Sequence, residues 1–517
     1  MQAVQESLPL VRSQLIAPLT GLFVITEDQL SVAPHVANAL QQRGARTAII
    51  ETAKLRSPED LANVVAQQRQ LYGSVRGIVH LAPLAAISMP DTLAEWQEYS
   101  QIHSKSLFQL LQLCATDLQQ QGRVLATSLL GGHFGRNGCG GLGLPTGGSS
   151  TGLLKTLFAE WSDIHVKAID FDSNLSPADM AQHIINELLC CGGRIEVGYP
   201  QGKRTIFKIV SAPLKTTATP PQLIPSKDWV VLVTGGAQGI TAEIASELVI
   251  PGMTLIVVGR SPEPTQESSA TVGITEIGGL RQVLLQQARL QGLSPTPMQI
   301  ESQIKKLLRD RTIHQNLKQF RQAGIKVEYL SVDVRNSKEF GSLLDGIYVR
   351  HSRLDVVIHG AGIIEDKLIV DKTKDSFDRV FDTKVDSAFI LNRHLRPDFL
   401  KAIVLFSSVA GRCGNRGQSD YAAANEIMNR LAWQMDRHWQ NTRVVAINWG
   451  PWDTTGMASE EVKRQFRERG IIPIPLPGGR QFFADELRYG RKGEVEVIAG
   501  EGPWESSEAE MGYIRCK

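Results

Sequence analysis

The chain has 517 residues, 42% of them apolar and 21% charged. That is ordinary globular usage, which excludes collagen-like, disordered and coiled-coil architectures and allows roughly three domains, or two large ones, at about 150 residues each. Lys plus Arg number 55 against 53 Asp plus Glu, a formal charge of +2, so no global field calls for nucleic acid or an anionic membrane.

The six cysteines, among them Cys114, Cys190 and Cys413, show no CxxC spacing, and no His cluster stands at zinc-ligand intervals. This predicts a reduced, cytoplasmic chain that holds no metal. No run approaches the ~18 apolar residues of a membrane span, and the first residues lack the basic start and apolar core of a signal peptide.

In the first half, Gly21 to Thr26 reads as a buried strand, residues 33–43 as a helix, Arg46 to Ile50 as the next strand and Gly77 to Leu81 as another. Short β-branched runs alternating with amphipathic stretches predict βαβ units and a parallel sheet. A dinucleotide site needs glycines after its first strand, so that the backbone can approach a pyrophosphate at the helix N-terminus. The turn here is Thr26-Glu27-Asp28-Gln29-Leu30-Ser31, with two carboxylates where a phosphate would sit. Residues 1–212 are therefore expected to form a Rossmann-like half with a structural role and no cofactor site. The glycine-rich stretch from Gly131 to Gly148 is expected to be a flexible surface loop, because no strand is expected to feed it immediately.

A boundary falls at residues 211–228, where four prolines stand among Thr and Ser. Beyond it, residues 213–517 repeat the βαβ rhythm. Trp229 to Val233 is an apolar run that leads into Thr234-Gly235-Gly236-Ala237-Gln238-Gly239-Ile240, and residues 241–249 have helical composition. Gly235 and Gly236 allow close backbone approach, and Gly239 lets the helix start pack tightly with its dipole facing a phosphate. The next strand, Thr254 to Val258, ends at Gly259-Arg260-Ser261, so a cation stands where an acid would bind a ribose 2′-hydroxyl. A guanidinium can grip a 2′-phosphate through two hydrogen bonds, which favours NADPH over NADH. A helical insertion is expected at about 262–325. A third strand ends near Asp333 and Val334, and a fourth, Val356 to His359, ends in Gly360-Ala361-Gly362, small residues that leave a nicotinamide ribose room.

Lys384 precedes Ser408 by 24 positions, Tyr421 follows Ser408 by 13 and Asn425 follows Tyr421 by four. The last spacing puts Tyr421 and Asn425 on one helix face. A lone Ser, Tyr or Lys would ordinarily be structural; four in this order behind a glycine turn form a catalytic set.

Those motifs resemble the ketoreductase domains of type I polyketide synthases, within the short-chain dehydrogenase/reductase superfamily. The shared features are the glycine turn, His359-Gly360-Ala361-Gly362, Ser407-Ser408-Val409-Ala410-Gly411, Tyr421-Ala422-Ala423-Ala424-Asn425, and Asn448-Trp449-Gly450-Pro451-Trp452 followed by Gly456-Met457-Ala458. The first half resembles the truncated structural subdomain of such enzymes, most specifically in Gly152 to Trp161. TGGAQGIT and the insertion resemble the polyunsaturated-fatty-acid-synthase and iterative-synthase subgroup. The turn departs from the family at Gln238 and Thr241.

The resemblance implies two Rossmann-like α/β subdomains with parallel sheets flanked by helices. It implies reduction of a β-ketoacyl thioester on the phosphopantetheine of an acyl carrier protein, beside other synthase domains. NADPH would lie along Gly235, Gly236, Gln238, Gly239 and Ile240, over Arg260 and Ser261, past Asp333 and Val334, and against Ala361, Gly362 and Pro451. Tyr421 would be the proton donor, Lys384 its supporting cation, and Ser408 the holder of the carbonyl oxygen, with Asn425 orienting Lys384 or a water. Asp366, in Ile364-Glu365-Asp366, and Cys413, five after Ser408, resemble B-type markers and imply a D-hydroxyl product, although Arg416 and Asp420 stand where B-type domains often carry Pro and Asn. A free-standing dehydrogenase of small alcohols and a catalytically silent scaffold remain as rivals.

Overall fold

The structure, a computed structural model, describes residues 2–6, 19–136, 141–161, 163–190, 192–214, 221–453, 460–504 and 513–514. The chain forms two large sheets flanked by helices. The first draws on β1 (Gln2–Gln5), β2 (Leu22–Thr26), β3 (Arg46–Ile50), β4 (Val75–His80), β5 (Arg123–Ser128), β6 (His165–Phe171), β8 (Glu196–Tyr199) and β9 (Thr205–Lys208), in the order β3-β2-β4-β5-β6-β8-β9-β1. It is parallel as far as β8; β9 runs antiparallel to β8, and β1 antiparallel to β9. A short ribbon pairs β7 (Gly193–Arg194) with Tyr513–Ile514.

The second sheet is parallel throughout. It holds β10 (Val230–Thr234), β11 (Thr254–Gly259), β12 (Lys326–Ser331), β13 (Val356–His359), β14 (Ala402–Ser408), β15 (Arg443–Trp449) and β16 (Glu496–Ala499), in the order β12-β11-β10-β13-β14-β15-β16. These central strands are buried on both faces, which is why they read in sequence as unbroken apolar runs. Strand for strand, β2, β3, β4, β5 and β6 occupy the places of β10, β11, β13, β14 and β15, and the first sheet lacks a counterpart of β12 among the described residues. Polar pairs repeat with the strands. Thr26 Oγ1 faces His80 Nδ1 at 3.5 Å as Thr234 Oγ1 faces His359 Nδ1 at 2.8 Å, and Ser128 donates to Asp170 at 2.6 Å as Ser407 contacts Asn448 at 3.1 Å.

The two first turns have diverged. In the first sheet Asp28 fills the N-terminus of the helix Val32–Gln41 with its own carboxylate, accepting the N–H groups of Leu30, Val32 and Ala33 at 2.8, 3.0 and 2.7 Å. In the second sheet, no side chain among the described residues caps the helix Gly239–Leu248, and its first turn holds no acid. One helix start is satisfied internally; the other leaves its donors to an anion.

The expected flexible surface loop is a correction. β5 feeds the glycine-rich stretch directly, and outside residues 137–140, which lie beyond the described residues, most of it is packed. Pro145–Gly148 is a buried 3-10 turn. A Cβ on Gly148 would stand 2.4 Å from Arg430 Cγ, so the second half reaches into this segment. Glycine here allows close packing.

The halves share one core. Trp96 stacks on Phe389 with ring centroids 5.0 Å apart, and Phe108 on Phe377 at 4.2 Å. The insertion consists of the helices Ile277–Leu290 and Pro297–Gln322; Ile313, Leu317 and Phe320 of the second pack into the core that holds β10 and β11. Among the described residues no helix is long and apolar enough to cross a membrane, and no group of metal-binding side chains is assembled.

Candidate active site

The carboxyl ends of the second sheet's strands open into a cavity of about 440 Å³, lined by the glycine turn, Gly360 to Gly362, Ile364, Lys384, Ser408, Gln418, Tyr421 and the segment Trp449 to Trp452. This is where an open parallel sheet exposes backbone ends to a ligand. Gly235 and Gly239 adopt φ of 71° and 62°, conformations that favour glycine. A Cβ on Gly236 would meet Val233 Cγ1 at 2.3 Å and one on Gly360 would meet Thr241 Oγ1 at 2.3 Å, whereas one on Gly239 would meet nothing within 4 Å. Gly236 and Gly360 thus serve packing, while Gly239 borders open space above a helix start rich in free N–H groups. That cradle fits the pyrophosphate of a dinucleotide.

At the end of β11, Arg260 is exposed and Ser261 half-buried. The loop is held by Tyr329, whose hydroxyl donates to Ser261 O at 2.7 Å, and by Ser331, which donates to Arg260 O at 3.1 Å. The exposed Arg260 side chain offers a cation there, close enough to favour the Asp333 carboxylate. Asp333 is engaged by Arg335 at 2.7 Å, and Val334 beside it is buried. Ala361 and Gly362 line the cavity, and Lys384 stands against Gly362, where a Cβ would lie 3.0 Å from its Cε.

The four expected catalytic residues come together on three elements: Lys384 on the helix Lys374–His394, Ser408 at the tip of β14, and Tyr421 with Asn425 on the helix Ser419–His438. Lys384 is buried, and its Nζ lies 5.3 Å from the centroid of the Tyr421 ring. Burial lowers its pKa to about 7. Burial raises Tyr421 to about 12, with Asn425 and Ser408 acting in the opposite direction. The alcohol, phenol and ammonium therefore face one cavity with Tyr421 protonated at neutral pH.

The support for Lys384 differs from the expected one. Its ammonium donates to Phe406 O at 2.7 Å and approaches Met428 Sδ at 3.9 Å. Asn425 uses its amide N–H on Tyr421 O at 2.7 Å, and its buried Oδ1 has no hydrogen-bond partner among the described residues. The backbone carbonyl of Phe406, inside β14, is not legible in the sequence as a lysine acceptor. An orphaned acceptor beside the tyrosine suits a bound water or cofactor hydroxyl.

The stereochemical markers separate. Asp366 sits at the mouth, accepting both of its contacts from Gln418 Nε2 at 3.1 and 3.2 Å, and Gln418 in turn lines the cavity. Cys413 is buried at the end of the helix Val409–Cys413 and is not a lining residue. Asp420 is withdrawn into a buried pair with Lys372 at 2.7 Å, and burial holds its carboxyl at about 6. Pro451 lines the cavity between Trp449 and Trp452; Gly456, Met457 and Ala458 lie outside the described residues. Sequence reasoning missed Gln418, Lys372 and the mouth contacts, whose partners are distant along the chain.

Comparison with known proteins agrees with this geometry. Residues 230–454 match the KR domain family. The chain is 29% identical over 510 residues to a polyunsaturated fatty acid synthase of Thraustochytrium sp., covering 95% of this chain and 17% of that protein. It is 29% identical over 365 residues to polyketide synthase PksN of Bacillus subtilis, covering 68% of this chain and 6% of that protein. The chain thus spans less than a fifth of either relative. Two solved structures share the fold: an N-terminal ketoreductase from the macrolactin assembly line, with a TM-score of 0.72 at 19% identity over 99% of this chain and 92% of that one, and a ketoreductase domain from the bacillaene assembly line, with a TM-score of 0.64 at 20% identity over 99% and 98%. Residues 230–454, in the half that holds the cavity, thus carry the match to the KR domain, within a chain similar to parts of polyketide and polyunsaturated fatty acid synthases.

Proposed function

We propose that this chain is a ketoreductase that uses NADPH to reduce a β-ketoacyl thioester, carried on the phosphopantetheine of an acyl carrier protein, to the D-3-hydroxyacyl thioester, as one domain of a synthase. Residues 1–212 are the structural half and 213–517 the catalytic half. The observation that carries the reading is the convergence of Lys384, Ser408 and Tyr421 on a cavity that begins at an uncapped glycine turn.

The bound nicotinamide supplies the hydride. Ser408 holds the ketone oxygen, and Tyr421 donates its phenolic proton as negative charge develops there. Ammonium at Lys384 stabilises the phenolate that remains, and Asn425 holds the tyrosine's helix turn and offers Oδ1 to the group that returns the proton. Acid catalysis of this kind is worth roughly 10²–10⁴-fold, with a comparable gain from donors aimed at the oxygen. Arg260 selects the 2′-phosphate. Asp366, joined to the lining through Gln418, marks the side from which the acyl arm enters and hence the carbonyl face that meets the hydride.

The test is NADPH oxidation, followed by absorbance, with 3-oxopentanoyl N-acetylcysteamine thioester or trans-1-decalone, and chiral chromatography of the product. The expected result is turnover that prefers NADPH over NADH, loses that preference in Arg260→Ala, and gives the (3R)-alcohol. No turnover would overturn the reading. Equal use of the two nicotinamides would overturn the cofactor assignment, and an L-hydroxy product the stereochemical one.

A further inference from the structure

Two loops frame the mouth of the cavity: residues 363–372, which carry Ile364 and Asp366, and residues 414–418, which carry Gln418. They touch one another through Lys367 N, which donates to Gly417 O at 3.0 Å, and through the Asp366–Gln418 contacts. Both are also tied to the first half of the chain, chiefly by the last turn of the helix Ser149–Glu160. Glu160 Oε2 accepts the N–H of Ile369 at 2.8 Å, and Glu160 Oε1 accepts the N–H of Gly417 at 3.0 Å. One turn earlier, Thr156 Oγ1 accepts the N–H of Asn415 at 3.2 Å, and the Asn415 amide orients Gln418 by donating to its Oε1 at 3.1 Å. Gln112, also from the first half, donates to Ile369 O at 2.7 Å and Lys372 O at 2.6 Å.

One carboxylate thus receives a backbone N–H from each side of the opening. Ile369 is fully buried, so its N–H has no solvent to turn to if Glu160 is removed. Gly417 adopts φ of 83°, a conformation open chiefly to glycine, so its loop is shaped for this approach. Burial raises the Glu160 pKa, while the two N–H groups and the nearby Arg416 and Lys372 charges favour the carboxylate. Glu160 is not part of the cavity lining; it acts on Ile364 and Gln418 through the loops that carry them.

We propose that Glu160 is a positioning residue for substrate access. From the half of the chain that carries none of the reacting groups, it fixes the spacing of the two mouth loops, and so fixes which side admits the acyl chain. This rests on the ketoreductase reading above. The Glu160 carboxylate holds Ile369 and Gly417 and not the glycine turn, so cofactor binding should be independent of the clamp.

The test compares the full chain with its Glu160→Ala and Glu160→Gln variants on 3-oxopentanoyl N-acetylcysteamine thioester. Readouts are KM, kcat, the enantiomer ratio, NADPH binding by fluorescence without ketone, and thermal melting. For Glu160→Ala we expect KM to rise about tenfold and the minor enantiomer to increase about tenfold, with kcat and NADPH affinity within about threefold of the parent. Glu160→Gln keeps an acceptor for one loop only and should fall between; it decides the matter if the alanine variant does not fold. A folded variant with unchanged KM and unchanged enantiomer ratio overturns the inference. A parent chain that binds NADPH but reduces no ketothioester overturns the ketoreductase reading, and this inference with it.

Discussion

Tyr421 and Lys384 are buried together, and burial shifts each toward its neutral form. A phenol raised to about 12 stays protonated and ready to donate, but it is a weak acid unless its anion is stabilised as it forms. In the proposed mechanism the ammonium 5.3 Å from its ring centroid supplies that stabilisation at a position where water does not screen it. Tyr421→Phe removes the donor without changing the packing, so ketone reduction should fall at least about a hundredfold while NADPH binding persists; steady-state kinetics with a fluorescence titration checks both.

Lys384 carries a folding penalty for its role. Its pKa is about 7 in the folded chain against an ordinary lysine value of 10.5. Between those values the unfolded chain binds the additional proton, so stability contributed by this site rises with pH across that window and is least below about 7. Lys384→Met should therefore melt above the parent by about 2 °C or more at pH 6, with the gap narrowing towards pH 10, while reduction is lost. Calorimetry of the cofactor-free proteins across that range gives the answer.

Among the elements, the glycine turn shows what a sequence makes legible. The apolar strand, the glycines and the helix after them are local, so their order announces a phosphate cradle before any contact is known. The roles of the individual glycines are set by neighbours: Gly236 abuts Val233 and Gly239 abuts nothing. Gly239→Ala should forfeit about 1 kcal/mol to its positive φ and weaken NADPH binding about tenfold or more, whereas Gly236→Ala should lower melting more than Gly239→Ala does, through the clash with Val233. Titration and melting of the pair would separate them. The stretch from Gly131 to Gly148 marks the limit of such reading. Glycine carries no side-chain periodicity, so nothing local distinguishes a free loop from one pressed against Arg430 of the other half.

At the scale of the whole molecule, the two halves are joined through buried charge, which composition could not reveal because each residue alone resembles a solvated surface ion. Glu196 of the first half receives Arg136 at 2.6 Å, Lys155 at 2.6 Å and Arg412, the last from the short helix that follows Ser408. Glu496 of the second half receives Arg136 at 3.1 Å and Arg430 at 2.9 Å, and Arg430 also reaches Glu426, the neighbour of Asn425, at 3.2 Å. The surrounding cations hold the Glu196 and Glu496 carboxyls well below the usual carboxylate range. Breaking one member of such a buried set costs about 3–5 kcal/mol, and removing the first half would strip Glu196, Arg136 and Lys155 at once while exposing Phe377 and Phe389. A fragment beginning near residue 213 should therefore be insoluble or unfolded when made alone and should recover NADPH binding when residues 1–212 are produced with it. Size-exclusion chromatography and cofactor titration of the separate and co-expressed halves test this; a soluble, active fragment would show that the first half is dispensable to the fold of the second.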